Sequence, residues 1–218
     1  MKPFKVGIIG TGWIAERMAE TLSGMEGVEK YAIASRTKEK SESFAMQWGF
    51  SRSYGSYEDL ANDSEVDLVY IATPHSHHYD NVKMCLLAGR NVLCEKAFTA
   101  NACQAEEIIA LAHDRNLFLT EAIWTRYQPF RKTISELIGS GIIGNVHQLS
   151  ANLCYPNIDR PRMYLPELAG GVLLDLGVYA LNFATMCFGT DYKIVSSSCQ
   201  LTDTGVDVAN SMTLHWED

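Results

Sequence analysis

A chain of 218 residues that is 47% hydrophobic and only 20% charged can bury a sizeable core, which excludes disorder and leaves room for one large domain or two small ones. Eighteen basic against 26 acidic residues leave a net charge of −8 with no offsetting Lys/Arg run, which argues against nucleic acid and anionic membrane as main partners. No uninterrupted apolar run reaches the roughly 18 residues of a membrane span.

The start of the chain enters a strand with no leader pattern. Six cysteines occur without a C-x-x-C pair, several of them inside apolar patterns. They read as reduced, mostly buried thiols, and a cytoplasmic protein is expected.

Residues 5–15, KVGIIGTGWIA, place a short apolar run before Gly10-Thr11-Gly12 and open a helical pattern at Trp13 and Ile14. The spacing is G-x-G-x-x-A. The first glycine serves a tight turn and the second a close backbone approach to a pyrophosphate, while Ala15 is small enough for helix-on-strand packing. The helix N-terminus that follows offers free N–H groups to an anion. A dinucleotide is therefore the expected ligand; an ordinary strand-to-helix turn is the alternative.

The next helix places Ile14, Met18 and Leu22 on one face, and residues 28–34 read as a second strand. A site that prefers NAD usually places Asp or Glu at the end of this strand, about 20 residues after the turn. Here Ser35 and Arg36 stand instead. A hydroxyl and a guanidinium suit a 2′-phosphate, which a carboxylate would repel, so NADP is favoured over NAD. Arg36 could otherwise stack on adenine or face solvent.

Helices are expected at 38–48, at 57–61 with Ser56 as N-cap, at 75–88 and at 101–113. Strands are expected at 66–72, 91–94 and 117–120. This alternation implies an α/β fold with a doubly wound parallel sheet. Ligands in such sheets sit at the carboxyl ends of strands, where Gly10, Ser35, Thr73, Glu95 and Glu121 fall. His75, His77 and His78 cluster after Thr73-Pro74. No carboxylate or cysteine stands at ligand spacing, so a helix start facing the cofactor is preferred to a metal site.

Ile71-Ala72-Thr73-Pro74 followed by His78, and then Gly89-x-x-Val92-Leu93-Cys94-Glu95-Lys96, resemble the oxidoreductase family of glucose–fructose oxidoreductase and inositol dehydrogenase. The family usually reads Glu-Lys-Pro; here Ala97 stands in place of the proline. Its second signature appears as Gly170-Gly171 and then Asp175-x-Gly177-x-Tyr179. Tyr179, together with residues 121–126 and 166–171, is most similar to the dimeric dihydrodiol dehydrogenase branch, whose members are NADP-dependent.

The resemblance implies an NADP-dependent oxidoreductase acting on a sugar or vicinal diol. Its cofactor would lie against Gly10, Thr11, Gly12, Trp13, Ile14, Ser35, Arg36, Thr73, Pro74, His78, Glu95 and Lys96. Arg126 is a further cofactor or substrate contact, with a surface ion pair as the alternative. Tyr179 would exchange the substrate hydroxyl proton. A free tyrosine has a pKa of about 10, and a neighbouring ammonium, Lys96, favours the phenolate. Asp175 lies four residues before Tyr179, on one helix face, and would orient the substrate. A non-catalytic NADP-binding sensor is the alternative from another class.

The Rossmann domain is expected over residues 1–121 and an α+β domain with an antiparallel sheet over 122–218. In the second, a helix is expected at 130–137, a strand at 146–154 and a loop at 156–169 carrying Asp159, Arg160 and Arg162. The signature helix follows at 170–187, and strands at 193–201 and 206–216 form a hairpin. Family members run to about 330 residues, the size of two full domains. The chain is thus expected to be truncated, with an open sheet edge and a homodimer covering it.

Overall fold

The structure, a computed structural model, describes residues 2–156 and 160–217. It divides into two compact units, Met1–Ala122 and Ile123–Asp218.

In the first unit six parallel strands form one sheet: β1 (Phe4–Ile9), β2 (Val28–Ala34), β3 (Arg52–Tyr54), β4 (Leu68–Ile71), β5 (Asn91–Glu95) and β6 (Leu119–Ala122). Their order is β3-β2-β1-β4-β5-β6, so the winding reverses between β1 and β4. The apolar run of β1 reflects burial on both faces. Val6 and Ile8 pack with Ala15, Ala19 and Phe44 on one side of the sheet. Ile9 packs with Leu60, Val69 and Leu86 on the other. The first layer is made by α1 (Trp13–Ser23) and α2 (Lys38–Trp48), the second by α3 (Tyr57–Ala61), α4 (His78–Leu87) and α5 (Ala102–Asp114).

Local chemistry sets the helix ends. The Ser56 hydroxyl accepts from Asp59 N–H at 3.1 Å and starts α3. Asn101 starts α5 by accepting from Gln104 N–H at 3.0 Å, while Gln104 reaches back to Ala100 N–H. The helix expected over 75–88 begins instead as a 3₁₀ turn, His75–His77, before α4. β3 was not expected. It is a three-residue edge strand, Arg-Ser-Tyr, too short to show an apolar period.

The second unit holds a 3₁₀ turn at Trp124–Tyr127, α6 (Pro129–Gly139), the short α7 (Pro161–Tyr164) and α8 (Val178–Phe188). The hairpin strands β7 (Tyr192–Leu201) and β8 (Asp207–Trp216) pair antiparallel. Two expectations need correction here. Residues 146–154 alternate in polarity but join no ladder; they face β8 and α8 across a groove of about 910 Å³. Alternation marks the two sides of a segment, but only a partner's N–H and C=O groups make it a strand.

The signature helix is not continuous over 170–187. A π-helical turn, Leu173–Gly177, precedes α8. Its start is fixed from the hairpin: the Asp207 carboxylate accepts from Leu173 N–H at 2.6 Å. Gly171, at φ +122°, makes room for it, since a Cβ there would stand 2.1 Å from the Asp207 carboxylate.

The cysteines are not mostly buried. Only Cys85 and Cys94 are; Cys103, Cys154 and Cys199 are exposed and Cys187 is half-buried. All six are free thiols. Cys103 lies on the solvent side of the first turn of α5, and Cys199 lies on the exposed strand β7. Finally, the stretch Pro166–Phe188 is long and apolar enough, by length and composition alone, to cross a membrane. It contains Asp175, which is 2% exposed and ion-paired with Arg162.

Candidate functional site

In the first unit the candidate residues gather at the carboxyl edge of the sheet. Ile9 pairs with Ala34 and Ile71, Ile71 with Cys94, and Glu95 with Ala122. The residues just beyond, Gly10, Ser35, Thr73 and Lys96, therefore emerge side by side, and Gly10 and Thr73 flank the point where the winding reverses. Open α/β sheets form their ligand crevice at that point.

The two turn glycines do different work. Gly10 adopts φ +105°, and a Cβ there would lie 2.7 Å from the Ala72 carbonyl oxygen, so the turn is locked against the end of β4. Gly12 has an ordinary φ of −87° and stands at the N-cap of α1 with no side chain capping the first turn. Among the described residues, nothing lies within 4 Å of a Cβ built on Gly12. The result is a cradle of backbone amides at a helix N-terminus with clear space before it, which fits a pyrophosphate. Thr11, Trp13 and Ile14 line this turn. Trp13 is 61% exposed, with the Arg17 guanidinium 5.9 Å from its ring.

At the end of β2, Ser35 is buried and its hydroxyl lies 3.4 Å from that of Thr11. Arg36 is exposed and close enough to Tyr57 to oppose the rise that burial imposes on that phenol. No carboxylate occurs among residues 34–38. A hydroxyl and an exposed guanidinium fit a phosphate monoester.

The His78 ring is fully buried. Its Nδ1 lies 2.7 Å from the Ala97 carbonyl and its Nε2 lies 2.8 Å from that of Thr73. Burial pushes the imidazole below its ordinary value against the pull of these carbonyls. The ring thus presents no surface to a ligand, which departs from the expected cofactor contact. Its neighbours differ: His75 is buried and His77 exposed. Among the described residues no group of three His, Cys, Asp or Glu could hold a metal ion. Thr73 accepts from Asn81 at 3.1 Å, and Pro74 is exposed.

Glu95 is half-buried. Burial pushes its carboxyl up, against the Tyr70 hydroxyl that donates to it and the Lys96 charge. Lys96 follows it, half-buried, and the Lys96–Ala97 peptide bond is cis. The Tyr70–Glu95 pair had no signal in the sequence, since the two residues stand 25 apart.

The second unit holds the remaining candidates. Asp175 lies in the π-helical turn, and Arg162 of α7 donates to its carboxylate at 2.6 Å. The Trp124 indole N–H donates to the Tyr179 hydroxyl at 2.8 Å, with the two rings edge to face at 6.0 Å. A phenol that accepts from an indole still has its own proton to exchange. Arg126 is exposed in the Trp124–Tyr127 turn, and its carbonyl accepts from Arg131 at 3.3 Å. Asp159 lies outside the described residues. No sequence spacing links Arg162 or Trp124 to Asp175 or Tyr179. Their partners lie 13 and 55 residues away.

Comparison with known proteins agrees with this geometry. A family described as "Oxidoreductase family, NAD-binding Rossmann fold" matches residues 4–122, and the "GFO/IDH/MocA C-terminal domain" matches residues 132–218. The chain is 40% identical over 215 residues to trans-1,2-dihydrobenzene-1,2-diol dehydrogenase of Xenopus laevis, covering 97% of this chain and 65% of that one. It is 41% identical over 231 residues to D-xylose 1-dehydrogenase (NADP(+)) of Hypocrea jecorina, covering 96% and 58% respectively. A crystal structure of a 3-ketoreductase from Actinomadura kijaniata with NADP and TDP-benzene superposes with a TM-score of 0.88 at 30% identity, covering 97% of this chain and 66% of that one. The chain spans about 65% of the length of the first of these relatives. With both family matches and the strand order in agreement, the chain belongs to the GFO/IDH/MocA oxidoreductase family.

Proposed function

We propose that the protein is an NADP-dependent oxidoreductase that moves hydride between the nicotinamide and a hydroxyl-bearing carbon of a sugar or vicinal diol. The observation that carries this reading is the uncapped start of α1 at the reversal of the sheet, with Gly12 open in front of it. Ser35, Arg36 and the absence of an acid at the end of β2 support NADP over NAD. Relatives that carry diol and D-xylose dehydrogenase names support the substrate class.

When bound, NADP supplies the hydride acceptor, or in its reduced form the donor. The chain supplies the rest. Backbone amides of the turn at Gly10, Thr11, Gly12, Trp13 and Ile14 bind the pyrophosphate, and Ser35 and Arg36 the 2′-phosphate. Thr73, Pro74 and Glu95 border the crevice, and Arg126 is a further contact in this reading. Tyr179 exchanges the substrate hydroxyl proton, with Trp124 fixing the phenol's direction. Lys96 is, by the family resemblance, the ammonium that would favour the phenolate. Asp175, held by Arg162, orients the substrate. A homodimer belongs to the same reading: β7 exposes Ile194, Val195 and Leu201, each more than 60% accessible. A clean monomer in sedimentation at micromolar concentration would count against it.

The test is to mix the protein with NADP and a panel of aldoses and trans-dihydrodiols and follow the absorbance of the reduced nicotinamide. Turnover should fall at least about a hundredfold in Lys96→Met and in Tyr179→Phe. An undiminished Tyr179→Phe removes Tyr179 from the chemistry. NADP binding without turnover of any substrate instead supports a non-catalytic sensor.

A further inference from the structure

We propose that His78, Glu95 and Glu121 are positioning residues that clamp the backbone of residues 96–98 and thereby fix the origin of the Lys96 side chain. The proposal rests on the reading of Lys96 as a catalytic group.

Residues 96–98 follow β5 and belong to no helix or strand. Their backbone is held by side chains instead, one residue after another. Lys96 N–H donates to Glu95 Oε2 at 3.2 Å. The Ala97 carbonyl lies 2.7 Å from His78 Nδ1. Phe98 N–H donates to Glu121 Oε1 at 3.0 Å. The three side chains come from β5, α4 and β6, so the turn is gripped from three elements.

Two of the clamp members also meet a second element. Tyr70, 2% exposed on β4, donates to Glu95 Oε1. The second ring nitrogen of His78 lies against the Thr73 carbonyl at 2.8 Å. The chain thus keeps titratable side chains partly or fully out of water where turn amides could have bonded solvent. Such groups are costly to bury unless bonded. A lysine carries its ammonium on a flexible four-carbon stem. Fixing where the stem begins removes one source of misplacement, and a displacement of about 1 Å at a reacting group can cost a hundredfold in rate.

Two substitutions at Glu121 separate geometry from charge. Glu121→Gln keeps an oxygen where Phe98 N–H points and removes the charge. Glu121→Asp keeps the charge and withdraws the carboxylate by one methylene. Three readouts apply: hydrogen exchange at the Phe98 amide, the acylation rate of Lys96 read by mass spectrometry, and kcat against KM for NADP.

The clamp predicts that Glu121→Asp speeds Phe98 exchange by about tenfold. The same variant should change Lys96 acylation and lower kcat about tenfold or more, with KM for NADP unchanged. Glu121→Gln is the conservative rescue and should lie closer to wild type on all three. The reverse order would make Glu121 an electrostatic partner and overturn the proposal, as would Phe98 exchange unaltered in Glu121→Asp. Altered exchange with unchanged acylation and kcat would also overturn it, leaving only a structural turn. Should wild-type protein turn over no substrate, the catalytic reading of Lys96 fails, while exchange and acylation still decide whether the clamp sets that side chain.

Discussion

Substituting the two turn glycines one at a time separates packing from ligand binding. At Gly10 an alanine meets two penalties. Its φ of +105° lies where L-residues are strained, at about 1–3 kcal/mol. Its Cβ would stand 2.7 Å from the Ala72 carbonyl oxygen, and overpacking against backbone costs about 1–3 kcal/mol more. Gly10→Ala should therefore lose about 2–6 kcal/mol, a large share of a typical domain stability of about 5–15 kcal/mol. At Gly12 the φ of −87° suits alanine and no described atom lies within 4 Å of the new Cβ. A small gain from the unfolded state and a small loss of N-cap quality should leave stability within about 1 kcal/mol of wild type. The same methyl would stand in front of the amide cradle. Losing one charge-assisted phosphate bond there weakens NADP binding by about tenfold to a hundredfold. Urea unfolding followed by circular dichroism reads the first effect. Quenching of Trp13, 61% exposed at the helix start, reads the second. A Gly12→Ala protein that binds NADP as tightly as wild type sinks the cradle. A Gly10→Ala protein that unfolds at the wild-type urea concentration sinks the packing argument.

Two further outcomes follow from other side chains. Arg36→Ala should weaken NADP about tenfold to a hundredfold and leave NAD nearly unchanged, because one charge-assisted contact to the 2′-phosphate is lost; equal losses for both in a fluorescence titration would place Arg36 elsewhere on the nucleotide. Native protein should react at Cys103, Cys154 and Cys199 with a thiol reagent, whereas Cys94 and Cys85, the latter pushed up to about 12 by burial, should react only after denaturation; modification of Cys85 in folded protein would contradict the packing of α4 on β5.

The first unit was largely legible because its information is local. The run of β1 with Gly10 and Gly12, the span of α2, and Ser56 before α3 each announce themselves within a few residues. β3 was missed because three residues cannot show a period. The site was legible at the level of loops. Strand ends could be counted, so Thr73, Glu95 and Glu121 could be placed at one edge. What each does there could not be read, because a side chain's role depends on its partner. His78 follows Thr73-Pro74 and reads as a group facing ligand, yet its ring is buried between two backbone carbonyls, one of them 19 residues ahead.

The second unit shows the same limit more sharply. Residues 146–154 carry the alternation of a strand and remain unpaired, while β7, exposed along most of its length, is a strand because β8 lies beside it. The start of the signature helix was equally opaque. Gly170-Gly171 marks a helix start by composition, but the residue that sets its geometry is Asp207, 34 positions on, bonding Leu173 N–H across the space that Gly171 leaves open. A π-helical turn at Leu173–Gly177 results, and Asp175 sits inside it against Arg162 rather than on a regular helical face with Tyr179. The sequence therefore nominates residues for the chemistry without saying how they are held. Both Asp175 and Tyr179 take their direction from partners, Arg162 and Trp124, that no periodicity connects to them.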